Sequence, residues 1–147
     1  MGLWVSHDCW TGSYRKFAEF RRWVARCAGL PPLEMMEGHY RGIVGSQAEI
    51  SPPISKWSIM RALESLPISW SVLRPDPLNK WLMHSDCDGD ISWAECGSLA
   101  ERMQELLDMP NLPETGVRTD WDFKDCLAKW INGLRVAHDA QEGVLFG

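Results

Sequence analysis

The sequence lacks long apolar runs and familiar catalytic motifs. No stretch approaches the roughly 20 consecutive apolar residues that a membrane-spanning helix needs, and no basic leader with an apolar core predicts secretion. The patterns G-x-S-x-G, P-loop, H-E-x-x-H and G-x-G-x-x-G are also missing. We therefore expect no membrane partner, and catalysis has little direct support in the sequence.

Cysteine pairs are also missing. The five cysteines are odd in number and widely spaced, and none forms a C-x-x-C pair. Such usage is typical of free thiols in a reducing compartment. The sequence therefore predicts a cytoplasmic protein without a disulfide framework. The residues concerned are Cys9, Cys27, Cys87, Cys96 and Cys126.

The sequence also has no excess of basic residues. Fifteen Lys and Arg residues stand against 20 Asp and Glu residues, for a net charge of −5, which disfavours nucleic acid and anionic membranes as partners. Hydrophobic residues are plentiful at 45%, and they include nine tryptophans. A chain of 147 residues with this balance predicts one globular domain, 1–147.

Apolar periodicity predicts a mostly helical α+β fold. Apolar residues at helical spacing, with cap signals at the ends, predict helices over 12–27, 54–65, 93–107 and 120–138. A shorter helical turn is expected at 78–83. Gly133 is expected to weaken the last helix somewhat.

Short strands are predicted at the two ends of the chain. Residues 2–6 form the first, in which Leu3, Trp4 and Val5 are expected to be buried. Residues 143–147, with the sequence GVLFG, are expected to lie beside it and complete a small sheet. Alternation in ISWSVL, residues 68–73, predicts one further strand.

Residues 84–95, HSDCDGDISWAE, are the most distinctive stretch. With Gly89 at the sixth position, where a calcium loop needs glycine, oxygen donors fall at positions 3, 5, 7, 9 and 12. The stretch therefore resembles an EF-hand loop, and calcium is a candidate ligand. His84 departs from the pattern at position 1, because nitrogen suits a hard cation poorly. The candidate calcium ligands are Asp86, Asp88, Asp90, Ser92 and Glu95.

The same loop has a structural interpretation. Ser92 and Glu95 fit the capping box S-x-x-E at the start of a helix, and the dipole of that helix favours the aspartates that precede it. The two prolines just upstream leave little room for an entering helix, and no second loop is present. These features favour a capped turn over a calcium site.

A softer metal is the remaining alternative. HDC at 7–9 echoes HSDC at 84–87, so the two segments together offer two nitrogens and two sulfurs to zinc. This requires the end of the first strand to meet the acidic loop. The candidate residues of this joint site are His7, Asp8, Cys9, His84 and Cys87.

The first helix carries a basic face that could bind an anion, next to a helix N-terminus. Its candidate residues are Arg15, Lys16, Arg22 and Arg26, and Arg21 is expected on the same face. Since the net charge is negative, a solvated face balanced by acidic segments is the favoured interpretation.

Three segments resemble an uncharacterised protein family of phages and prophage-carrying bacteria. They are SHDCWTGSYRKFAEFRRW, which contains HDC, PDPLNKWLMHSDCDGDISWAECGSLAERMQELL, which contains the SDC-acidic-G loop, and WINGLRVAH near the end. The resemblance covers most of the chain outside 40–65. It implies a small cytoplasmic accessory protein of phage origin and brings no established activity.

We expect such a protein to act by binding a host protein or a small molecule rather than by catalysis. The competing hypothesis is a calcium-binding protein, or a metal-dependent enzyme built on the two acidic and histidine-containing segments. The residues of that enzyme would be His7, Asp8, His84, Asp86 and Asp88.

Overall fold

The computed structural model describes residues 2–39, 67–85, 87–110, 112 and 122–147. Within them the chain is mostly helical with short strands near both ends, which confirms the predicted α+β class. The elements are β1 (Gly2–Val5), β2 (Trp10–Ser13), α1 (Tyr14–Cys27), α2 (Pro77–Met83), β3 (Asp90–Ile91), α3 (Trp93–Leu107), α4 (Phe123–Asp139) and β4 (Val144–Leu145), with 3-10 turns at Leu33–Met35 and Trp70–Val72. The helix predicted at 54–65 lies outside the described residues.

The strands form two antiparallel pairs that backbone hydrogen bonds join into one sheet. β1 pairs with β2, and β3 pairs with β4. Between the pairs, Val5 forms an antiparallel bridge with Phe146, and the Trp4 amide donates to the Gly147 carbonyl at 2.9 Å. The spatial order is therefore β2, β1, residues 144–147, β3. The prediction that GVLFG lies beside residues 2–6 is confirmed.

Side-chain caps explain where the helices begin. Ser13 accepts the Lys16 amide at the start of α1, so this helix begins two residues later than predicted, and Gly12 and Ser13 lie in β2. Ser92 accepts the Glu95 amide at the start of α3. Each cap satisfies a backbone N–H that has no partner inside the helix. Asp76 and Asp122 cap α2 and α4 in the same way.

Aromatic side chains fill the core between the helices and the inner face of the sheet. Phe17 of α1 lies 6.0 Å from both Trp81 and Trp130, measured between ring centroids, and these two indoles lie 5.4 Å apart. Trp10 packs on Phe17 at 5.1 Å. All four rings are buried. Much of the unusual tryptophan content therefore anchors the core.

Two predictions about local structure are wrong. ISWSVL forms one parallel bridge at Ile68 and then the 3-10 turn at Trp70–Val72. The Ser69 hydroxyl accepts the Ser71 amide and favours this turn over a strand. Arg21, expected on the solvated face of α1, is 5% exposed.

The β1–β2 turn explains the sequence HDC. His7 and Asp8 have φ values of 60° and 58°, and the Cys9 amide donates to the Ser6 carbonyl, as in a hairpin turn of type I′. Cys9 then points into the core and meets α4 at Gly133. A Cβ atom at Gly133 would lie 2.5 Å from the Cys9 sulfur and 2.6 Å from the His7 carbonyl oxygen. Gly133 thus permits a close approach that any larger residue would obstruct.

Candidate functional site

The acidic loop folds around the side chain of His84. The two ring nitrogens lie 2.8 Å from the Ser85 carbonyl oxygen and 3.0 Å from the Asp90 carbonyl oxygen. The ring also stacks on Phe146, with 4.2 Å between centroids. Gly89, at φ 92°, makes room for it, since a Cβ there would lie 3.1 Å from the ring. The imidazole therefore contacts the start of the loop, its middle and the last strand.

Ser92 and Glu95, two of the candidate calcium ligands, form the predicted capping interaction. The Glu95 amide donates to the Ser92 hydroxyl, and this hydroxyl donates to a carboxylate oxygen of Glu95 at 2.6 Å. Lys80 of α2 forms an ion pair with the same carboxylate. The hydrogen bond from Lys80, and next the one from Ser92, hold the pKa of Glu95 below its ordinary value. The carboxylate thus joins α2 to the start of α3.

The substitution Glu95→Gln should reduce the stability of the protein at neutral pH. In acid it should leave the stability unchanged. The folded-state pKa lies below 4.5, so the stabilisation is present above 4.5 and is lost as the pH falls through the folded-state pKa. Because the carboxylate side chain is 39% exposed, we expect a loss of only about 0.3–1 kcal/mol at pH 7.

Thermal melting of the wild type and Glu95→Gln between pH 3 and pH 7 measures this difference. Glu101→Gln, at an exposed position of α3, is the matched control and should follow the wild type. A difference between Glu95→Gln and the wild type that stays constant across the range would contradict the ionic role of Glu95.

The remaining candidate calcium ligands are not gathered around one point within the described residues. Asp88 and Asp90 are exposed, and neither forms an ion pair with another described residue. Asp86 lies outside the described residues. No group of three His, Cys, Asp or Glu side chains is arranged to hold a metal ion in the described ranges.

The two halves of the candidate zinc site lie on opposite sides of residues 144–147. His7 Nε2 donates to the Glu142 carboxylate at 2.9 Å, while Cys9 is buried against α4. On the other side, His84 faces Asp90, and Cys87 is exposed. The described residues of these two segments form no group that could hold a metal ion. The echo between HDC and HSDC thus marks two segments that flank the same strand.

The thiols differ in their environment. Burial raises the pKa of Cys9 to about 12, with smaller contributions from Cys96 and Asp8. Burial likewise raises the pKa of Cys96 to about 11. Thiols with such values stay protonated at neutral pH and pack as small apolar groups. Cys87 is the exposed thiol and lies 3.3 Å from the Ser85 hydroxyl.

The basic face of α1 is partly neutralised by its own neighbours. Arg22 pairs with Glu19 at 2.7 Å and with Glu34 at 3.3 Å. The Lys16 ammonium lies 5.8 Å from the centroid of the Trp10 ring. Of the candidate anion-binding residues, Arg15 is exposed and Arg26 half-buried. These contacts support the interpretation of a solvated face.

Arg21 positions the acidic loop, a role that its sequence context did not reveal. Its guanidinium donates to the Leu82 carbonyl at 3.2 Å and to the His84 carbonyl at 2.8 Å, where α2 ends and the loop begins. His39 also donates to the Leu82 carbonyl, at 2.8 Å. Burial lowers the pKa of His39, which favours the neutral ring with its proton on Nε2.

The outer face of the sheet carries an exposed apolar patch. Trp4 is 53% exposed and Leu145 is 55% exposed, so the prediction that Trp4 is buried is wrong. Leu3 and Val5 point inward, and the period of two along a strand puts Trp4 on the other face. That alternation is the signal that sequence reasoning missed.

Strand pairing places the exposed apolar side chains of this patch next to each other. Trp4 pairs with Gly147 through two backbone hydrogen bonds, and the Leu145 carbonyl accepts from the amide of Ser6, the residue that follows β1. Trp4 and Leu145 are thus diagonal neighbours, about 7–8 Å apart. Asp90 lies directly opposite Leu145 on β3 and is also exposed. We call Trp4, Ser6, Leu145, Gly147 and Asp90 the outer patch.

A cleft beside the acidic loop is too small for a typical small-molecule ligand. It lies between α2 and α3, has a volume of about 70 Å³, and is lined by residues that include Trp81, Ile91 and Leu99. Small-molecule sites usually enclose about 300–1,000 Å³.

Comparison with protein-family models, with curated proteins and with solved structures gives no match for this chain.

Proposed function

We propose that this protein is a binding protein that recognises another protein through the outer patch. The observation that carries the proposal is the pair Trp4 and Leu145, each more than half exposed on adjacent strands. Apolar residues scattered singly over a surface need no explanation, whereas adjacent ones point to contact with a partner. Tryptophan is also the residue type most enriched among those that dominate binding energy.

The backbone around the patch favours binding without rearrangement. Residues 144–147 are hydrogen-bonded to β1 on one side, and β4 pairs with β3 on the other. Both apolar side chains are therefore presented by a paired backbone, which reduces the entropy that binding must remove. This supports binding of the partner to a preformed surface of this chain.

The charge around the patch indicates the chemistry of the partner. Asp90 stands beside Leu145 without an ion pair to any described residue, and the net charge of the chain is −5. A partner that places Arg or Lys next to an apolar pocket would complement both groups. The resemblance to phage accessory proteins suggests a host protein of the bacterial cytoplasm as that partner. No described helix has the length and apolar character to cross a bilayer.

The test is capture from bacterial lysate by immobilised wild type and by single variants of the patch. Trp4→Ser and Leu145→Ser should each reduce recovery of one host protein by about tenfold or more, as expected for residues that anchor an interface. Asp90→Asn should reduce it less, and mostly at low salt. Quantitative mass spectrometry measures the recovery.

Val136→Ser is the matched control, since Val136 is 50% exposed on α4. It should recover the same protein as the wild type. Equal recovery by wild type, Trp4→Ser and Leu145→Ser would contradict the proposal. A wild-type dimer that Leu145→Ser converts to monomer in light scattering would assign the patch to a second copy of the chain instead.

A further inference from the structure

The acidic loop has the register of a calcium loop but a different group at its centre. In such loops the ion draws together the residue at position 1, the backbone carbonyl at position 7 and the acidic side chain at position 12. Here position 7 is Asp90, and its carbonyl oxygen lies 3.0 Å from Nε2 of His84, the residue at position 1. A ring nitrogen thus occupies the neighbourhood where an ion would bind this carbonyl.

We propose that the His84 imidazole closes this loop in place of a cation. Its second nitrogen lies 2.8 Å from the Ser85 carbonyl, so a ring with an N–H on each nitrogen donates to the carbonyls of positions 2 and 7. Gly89, the glycine of position 6, has the positive φ that the turn requires and leaves space for the ring. The role is that of a positioning residue, and it is independent of what the outer patch binds.

The pairing of the loop supports the same assignment. Ile91, at position 8 of the loop, pairs with Val144 of β4. The Phe146 amide also donates to the Gly89 carbonyl at 3.0 Å, and the Phe146 ring stacks on His84. The last strand thus binds both the backbone of the loop and the ring that closes it.

Glu95, the residue at position 12, is also held by side chains of the protein. Glu95 accepts from Ser92 and pairs with Lys80, so its charge is neutralised by an ammonium group. An imidazole nitrogen and a lysine ammonium thus contact the Asp90 carbonyl and the Glu95 carboxylate, two oxygen groups that calcium would otherwise coordinate. The loop therefore closes without an ion.

The experiment places a carboxylate at position 1 and measures whether the loop then binds calcium. His84→Asp and His84→Ala are compared with wild type by thermal melting and calcium titration calorimetry, in EDTA and in 10 mM CaCl₂. We expect wild type to melt at the same temperature in EDTA and in CaCl₂. In EDTA, both variants should melt at a lower temperature than wild type. Calcium should raise the melting temperature of His84→Asp and leave that of His84→Ala unchanged, with a dissociation constant of roughly 10⁻⁴–10⁻³ M.

A double variant removes the competing ammonium. His84→Asp combined with Lys80→Ser should bind calcium at least as tightly as His84→Asp alone, because Glu95 is then free to ligate. If His84→Asp is unfolded in EDTA, recovery of its circular dichroism by calcium is the expected result. The proposal is overturned if calcium stabilises wild type, if it rescues His84→Ala equally, or if it binds neither variant that carries Asp at position 84.

Discussion

Replacing Arg21 with Met is expected to lower the free energy of unfolding by about 3 kcal/mol, because hydrogen bonds from charged groups contribute about 1.5–3 kcal/mol each. Methionine fills much of the same space, but it cannot donate to the Leu82 and His84 carbonyls. The stacking of the guanidinium on Phe17, at 4.8 Å, is lost as well. For a chain of this length the melting temperature should fall by roughly 6–12 °C.

The position of Arg21 makes its effect reach the acidic loop. The His84 carbonyl lies at the start of the loop, so the variant should also raise the hydrogen-exchange rate of the Phe146 amide, which bonds to Gly89. Arg15→Met, at an exposed position of the same helix, is the control and should change stability by less than about 0.5 kcal/mol. Equal melting temperatures for the two variants would show that Arg21 does not hold the loop.

Replacing Gly133 with Ala should destabilise the protein by about 2 kcal/mol, although alanine is the better helix former by about 1 kcal/mol. The new methyl group would lie 2.5 Å from the Cys9 sulfur and 2.6 Å from the His7 carbonyl oxygen. The carbonyl belongs to a tight turn and cannot move without displacing β1 and β2. Denaturation in guanidinium chloride measures the shift of the midpoint.

Gly97→Ala provides a matched control in a second helix. A Cβ at Gly97 would also be crowded, at 2.8 Å, but by the ring of His138, a side chain that can shift at the cost of its 2.8 Å contact with the Trp93 carbonyl. We expect the gain in helix propensity to offset that movement, so stability should change by less than about 1 kcal/mol. If Gly97→Ala destabilises as much as Gly133→Ala, backbone crowding is not the cause.

Local signals in the sequence predicted the elements well. Ser13 and Ser92 combine a capping side chain with an apolar periodic run, and both helices begin where those signals stand. GVLFG lies beside β1 as expected. ISWSVL alternates, yet the Ser69 hydroxyl bonds to its own backbone and produces a turn. Alternation over six residues therefore does not establish a strand.

The candidate site was harder to predict because its contacts join distant parts of the chain. The sequence identified the loop and the capping pair, but it gave no reason to expect His84 to face Asp90 or Arg21 to be buried. Both depend on where α1 and the last strand pack against the loop. Periodicity describes one element at a time, so it cannot supply such partners.

The position of residues 144–147 inside the sheet constrains the order of folding. The β1–β2 hairpin joins neighbouring segments of the chain, whereas the strand that bonds to the other edge of β1 lies far along the sequence, and its Leu145 amide donates to a Ser6 hydroxyl 139 positions away. Until that strand docks, one edge of β1 stays open to other strands. Closing the sheet is thus a long-range step that must overcome a large loop-closure entropy, and we expect it to follow formation of the hairpin.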